Sequence, residues 1–140
     1  MASENAVVLD SSFLVAYFNS RDSHHAAAAR AMVQMAAGAL GQALLLEYVF
    51  LEVVTVLAAR TGLSTAVSVG DALLEAKEVR FVPCSDLFVQ ALEEFRSQGN
   101  GRLSFTDAAV VVAATRHAAG RVLTFDGDFR GVDGLVVLPD

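Results

Sequence analysis

The stretch Ala6-Val7-Val8-Leu9-Asp10-Ser11-Ser12-Phe13-Leu14-Val15-Ala16 decides the fold. A short aliphatic run is stopped by an acid and two serines, and a helical pattern follows at once. That succession is how a strand passes into a helix in an α/β protein with a mostly parallel sheet. The strand is expected over Ala6 to Leu9 and the helix over Ser11 to Phe18, with Asp10 between them.

Moving outward, the same succession recurs. An Ala-rich helix is expected from Ser23 to Ala37, closing at Gly38, and a second strand from Ala43 to Leu46. A helix from Tyr48 to Arg60 stops at Thr61-Gly62; Ser64 caps the next, which reaches Glu78, and Val79 to Cys84 forms a third strand. Helices over Ser85 to Arg96 and Ser104 to His117 are separated by Ser97-Gln98-Gly99-Asn100-Gly101, and Arg121 to Phe125 is the fourth strand. Leu135 to Leu138 supplies a short fifth. No repeat or linker interrupts the pattern, so residues 1–140 read as one domain.

Of the 140 residues, 54% are hydrophobic and 19% charged, which excludes intrinsic disorder. The longest stretch without a formal charge, Ala31 to Leu46, has sixteen residues and contains Gln34, Gly38, Gly41 and Gln42. A membrane span needs about 20 apolar residues, so none is expected. The first residues, Met-Ala-Ser-Glu-Asn, lack the basic segment and apolar run of a secretory signal, and a lone Cys84 has no internal disulfide partner. A cytoplasmic location is the expectation. The net charge of -6 argues against a broad cationic surface for nucleic acid.

In a parallel sheet with right-handed crossovers, all strand C-termini share one edge, and helices returning antiparallel begin there. Five acids fall at such positions: Asp10 after the first strand, Glu52 early in its helix, Asp107 in the first turn of its helix, and Asp126 and Asp128 past the fourth strand. Asp10, Glu52 and Asp126 are flanked by apolar residues, where a carboxylate is costly unless compensated. Carboxylates gathered together repel, so their pKa values rise or a cation neutralises them. All-oxygen ligation without a Cys or His cluster suits Mg²⁺ or Mn²⁺, and a pair of such ions supports phosphodiester hydrolysis. Setting the five acids aside leaves ten basic against eleven acidic residues, so the excess charge is the site itself. Arg21, Arg60, Arg102, Arg121 and Arg130 are then candidate phosphate contacts.

Four segments together resemble a family: Val-Leu-Asp10-Ser11-Ser12-Phe-Leu-Val-Ala, Tyr48-Val-Phe-Leu-Glu52-Val-Val, Leu103-Ser104-Phe105-Thr106-Asp107-Ala108-Ala109 and Leu-Thr124-Phe-Asp126-Gly-Asp128-Phe129. In this order and spacing the chain resembles the PIN-domain ribonucleases of the VapC toxin type. The resemblance implies a three-layer α/β/α sandwich around a four- to five-stranded mostly parallel sheet, and Mg²⁺- or Mn²⁺-dependent cleavage of single-stranded or loop RNA. It implies Asp10, Glu52, Asp107 and Asp126 as a catalytic and metal-binding quartet, with Asp128 as a variable fifth ligand. It also implies that Ser11 and Thr124 orient the carboxylates, and that a cognate antitoxin protein is a partner. The apolar helices suit a homodimer. Glu47 is the rival of Glu52; five residues apart on a helix they point about 140° apart, so at most one faces the site.

Each acid also has a structural reading. Asp10 caps the helix it precedes, Asp107 completes a capping box with Ser104, and Asp126-Gly127-Asp128 is a tight turn. For Glu52 the structural reading is a buried ion pair with an arginine. His24 and His25 diverge on a helix and read as its solvated start, and Cys84 as filler at a strand end. The competing functional readings are a non-catalytic RNA- or protein-binding module of the same fold, and a PIN nuclease for RNA processing without an antitoxin.

Overall fold

β1 (Ala6–Leu9) is the middle strand of a five-stranded sheet. β2 (Gln42–Leu46) and β3 (Val79–Val82) lie on one side of it, and β4 (Arg121–Leu123) and β5 (Val136–Leu138) on the other, all parallel. The computed structural model describes residues 5–99 and 101–139. Every residue of β1 is buried, as expected for an all-aliphatic strand with helices over both sheet faces.

Four helices follow the chain through β1, β2 and β3: α1 (Ser11–Phe18), α2 (His25–Ala36), α3 (Glu47–Thr61) and α4 (Leu63–Glu75). α5 (Phe88–Ser97) and α6 (Phe105–His117) carry the chain back across the opposite face to β4. Right-handed crossovers from this strand order give a three-layer α/β/α sandwich. α6 is buried at every position from Ala108 to Ala114, because small Ala and Val side chains let it lie close between the sheet and α5. Phe13 and Phe129 are fully buried; truncating either to alanine would cost about 3 to 5 kcal/mol.

Several boundaries differ from the sequence reading, each for a local reason. α4 begins directly after Gly62 (φ 105°), and its N-cap is that glycine rather than Ser64. It stops at Glu75, which leaves three residues to reach β3. β3 stops at Val82 because Pro83 has no N–H to extend a ladder, so Cys84 lies outside it. The Ser85 segment starts as a single 3₁₀ turn, Ser85–Leu87, before α5. β4 ends at Leu123, where the Phe125 and Asp126 amides leave the ladder and donate to the hydroxyls of Ser12 and Thr124 instead. Gly120 (φ 82°) admits the close approach of the chain leading into β5: a Cβ there would lie 2.0 Å from the Gly134 carbonyl oxygen. No helix among the described residues is long and apolar enough to cross a membrane.

Candidate active site

The register of β1 with β4 pairs Leu9 with Leu123, and the Asp10 N–H donates to the Leu123 carbonyl at 2.9 Å. Asp10 therefore leaves the sheet at its C-terminal edge beside the segment that carries Thr124 and Asp126. An open cleft of about 380 Å³ at this edge is lined by Asp10, Glu52, Asp107 and Asp126, together with Ser11, Ser12, Asp22, His24, Arg60 and Phe125. Four carboxylates from four distant segments thus meet in one place, as Asp10, the α3 face, the first turn of α6 and the end of β4 each reach the same edge.

Asp10 is the most enclosed, 3% exposed. Its Oδ2 accepts from the Thr124 hydroxyl at 2.7 Å, the Ser12 hydroxyl at 2.8 Å and the Ser12 N–H at 3.4 Å. The acceptor sides of those hydroxyls are filled by the backbone: Phe125 N–H donates to Ser12 Oγ at 2.9 Å and Asp126 N–H to Thr124 Oγ1 at 3.0 Å. Each hydroxyl has one proton, which it can give to Asp10, and the two hydroxyl oxygens also lie within 3.0 Å of each other, either able to donate. Burial nevertheless pushes the Asp10 pKa up, and the hydroxyl and amide hydrogen bonds only partly offset it.

Asp107 caps and converges at once. Its Oδ2 accepts from Ser104 N–H at 3.0 Å while its own N–H donates to Ser104 Oγ at 3.0 Å. Its pKa is raised to about 6, chiefly by burial and further by the charges of Asp10 and Asp126, against the hydrogen bonds from Ser104. Asp126 accepts from Asp128 N–H at 2.9 Å and caps the 3₁₀ turn Gly127–Phe129. The three capping readings therefore hold together with convergence on the cleft.

Glu52 corrects one expectation, since its side chain is exposed in the cleft rather than buried among the apolar residues that flank it in sequence. It accepts from the Ser11 hydroxyl, and among the described residues it makes no ion pair with an arginine. Glu47 instead accepts from Cys84 N–H at 2.9 Å, near the end of β3. Asp128 is exposed and lines a different hollow with Arg102, Arg130 and Asp133; the structure does not bring it into the cleft. Of the arginines, Arg60 reaches the cleft, two turns along α3 from Glu52. Arg121 stands at the start of β4, the opposite sheet edge, and donates to the Ala6 carbonyl at 3.1 Å.

Ser12, Asp22 and His24 are among the cleft residues that the sequence did not mark as site residues. Ser12 had a signal, since it stands in the same Asp-Ser-Ser turn as Ser11. His24 and Asp22 precede α2 in a turn where Asp22 Oδ1 accepts from His24 N–H at 2.8 Å, and nothing in the local sequence links that turn to the cleft. Among the described residues no three His, Cys, Asp or Glu side chains already form a metal-ligand set. The carboxylates are turned onto their caps and hydroxyls. As a donor set, carboxylates from four segments, with Cys84 distant, fit a hard divalent cation.

This sheet order, helix layering and acidic edge are those of a nuclease-type α/β domain, and the chain belongs to the PIN domain family, which it matches over residues 7–135. In structure it is similar to VapC20 of Mycobacterium tuberculosis, described as a toxin that cleaves the sarcin-ricin loop. The TM-score is 0.80 at 27% identity, covering 95% of this chain and 99% of that one. No curated protein sequence matches the chain.

Proposed function

We propose that this PIN domain is a divalent-metal-dependent endoribonuclease and the toxin of a toxin-antitoxin pair. The observation that carries the reading is the set of four carboxylates in one cleft, none of them in an ion pair among the described residues. The family and the similarity to an RNA-cleaving toxin support it.

Asp10, Glu52, Asp107 and Asp126 would hold Mg²⁺ or Mn²⁺, which when bound supplies an activated water and a counter-charge for the phosphate under attack. Thr124 and Ser12 fix Asp10, Ser11 fixes Glu52, and the Asp128 amide fixes Asp126, so each carboxylate meets its load pre-oriented. Arg60 binds an RNA phosphate at the cleft wall. Asp128 acts through its backbone rather than as a ligand. The substrate is single-stranded or loop RNA, cut to leave 5′-phosphate and 3′-hydroxyl ends, and the sarcin-ricin loop is the first RNA to try. The chain works as one cytoplasmic domain. Exposed apolar side chains on α3, α4 and α5, among them Leu51, Leu63, Leu74, Phe88 and Val89, support a homodimer.

The test is Asp10→Asn. The variant folds, as judged by circular dichroism and a cooperative melt, and no longer cuts RNA in Mg²⁺ or Mn²⁺; undiminished cleavage by the folded variant rejects the reading. Expression in a host cell with and without the protein encoded immediately upstream separates toxin from processing nuclease. Growth arrest relieved by that neighbour supports the toxin, and unaffected growth opposes it.

A further inference from the structure

The rings of His24 and Phe125 lie parallel, with centroids 4.5 Å apart and an interplanar angle of 5°. Phe125 in turn stacks on Phe13, centroids 6.1 Å apart, and Phe13 is fully buried in the core. The three rings make a ladder from the core to the cleft rim, where His24 is exposed. Its inner face covers Phe125, which leaves the outer face open. The turn that carries it is fixed at both ends, by Asp22 accepting from His24 N–H and by the His25 ring, whose Nδ1 bonds the Ala16 carbonyl at 2.9 Å. A flat ring so held loses little freedom when a second flat group is laid on it.

Its place in the chain gives the ladder its use. Phe125 stands between Thr124, which holds Asp10, and Asp126. Any group stacked on His24 is thus next to the carboxylates that act on the phosphate. Nucleobases stack on aromatic side chains with little regard to sequence. An acidic cleft repels the RNA backbone, so a contact with an uncharged base is a means of placing RNA that does not compete with the acids.

We propose that the outer face of His24, backed by Phe125, stacks the base of a nucleotide flanking the scissile bond and so positions that bond over the acids. This rests on the nuclease reading, and its test is built to separate the two. The probes are a decamer of uridylate and a set of decamers each carrying one abasic ribose. Cleavage is followed in Mn²⁺, and binding by fluorescence anisotropy in Ca²⁺ with Mn²⁺ and Mg²⁺ omitted. For the wild-type protein an abasic ribose at one position lowers kcat/KM and affinity at least tenfold. His24→Ala lowers both by the same factor on the intact decamer and shows no further loss on the abasic one, whereas His24→Phe restores most of it. A purely structural His24 would lower both substrates equally, and that result, like wild-type behaviour of a folded His24→Ala, overturns the inference. Base-dependent binding through His24 without any wild-type cleavage would uphold the stacking site and sink the nuclease.

Discussion

At the carboxyl end of α6, Arg116 donates to the Asp86 carbonyl at 3.4 Å and to Gln90 at 3.1 Å, and burial, then Arg116 and Arg80, push the His117 pKa down. At the amino end, Asp107 accepts from Ser104 in a capping box. Both ends carry the charge that suits the helix dipole. They differ in what else is near. The basic end spreads its charge over carbonyl and amide oxygens. At the acidic end burial, with the like charges of Asp10 and Asp126 added to it, raises Asp107 to about 6 although a helix amino terminus and the hydrogen bonds from Ser104 favour the carboxylate. Local capping chemistry therefore accounts for the carboxyl end, whereas at the amino end burial and the neighbouring acids oppose the charge that the cap favours.

Neutralising one acid should break this contrast most visibly. Asp126→Asn is expected to lower RNA cleavage by at least about 100-fold, while Arg116→Ala stays within twofold; initial rates on one RNA check both. Next in size is metal binding. Mn²⁺ at about 100 times its dissociation constant should stabilise the wild-type protein by about 2.7 kcal/mol, a rise in melting midpoint on the order of 10 °C that chelation reverses. An unmoved midpoint would point to a module that binds without chemistry.

A smaller effect reads the burial of Asp107 and its repulsion by the other acids together. The folded pKa of Asp107 lies above its unfolded value of 3.8, so the folded metal-free protein binds the proton more tightly. Its contribution to stability is present below about pH 4 and is lost as pH rises through about 6. Asp107→Asn should therefore be more stable than the wild type in EDTA at pH 7.5, by about 1 kcal/mol because solvent screens this half-exposed group. The advantage should fade toward pH 4, which melts across that range would read. Smallest is Arg116→Ala, expected to cost about 0.5 kcal/mol from its lost hydrogen bonds, equally with and without Mn²⁺.

The strand-then-acid pattern made the edge legible. Asp10, Asp107 and Asp126 follow from where strands end and returning helices begin, and the five-residue spacing of Glu47 and Glu52 told that only one could face inward. Arg121 fails by the same rule, since the first residue of a strand stands at the far edge. Asp128 was harder, because one 3₁₀ turn after Asp126 was enough to carry it away, and a turn's handedness is not written in Asp-Gly-Asp. Glu52 was misjudged on burial because apolar neighbours in sequence lie on other faces of α3. His24 could not be found at all: its partner, Phe125, lies far away along the chain, and only the fold stacks them.

Anomalous scattering from crystals of the wild-type protein grown with Mn²⁺ is the most direct measurement. A manganese peak about 2.1 Å from carboxylate oxygens of Asp10 and at least one of Glu52, Asp107 and Asp126 is the expected result. A well-ordered cleft with no peak, or with Mn²⁺ held only elsewhere, would contradict the claim that these acids are gathered for a cation.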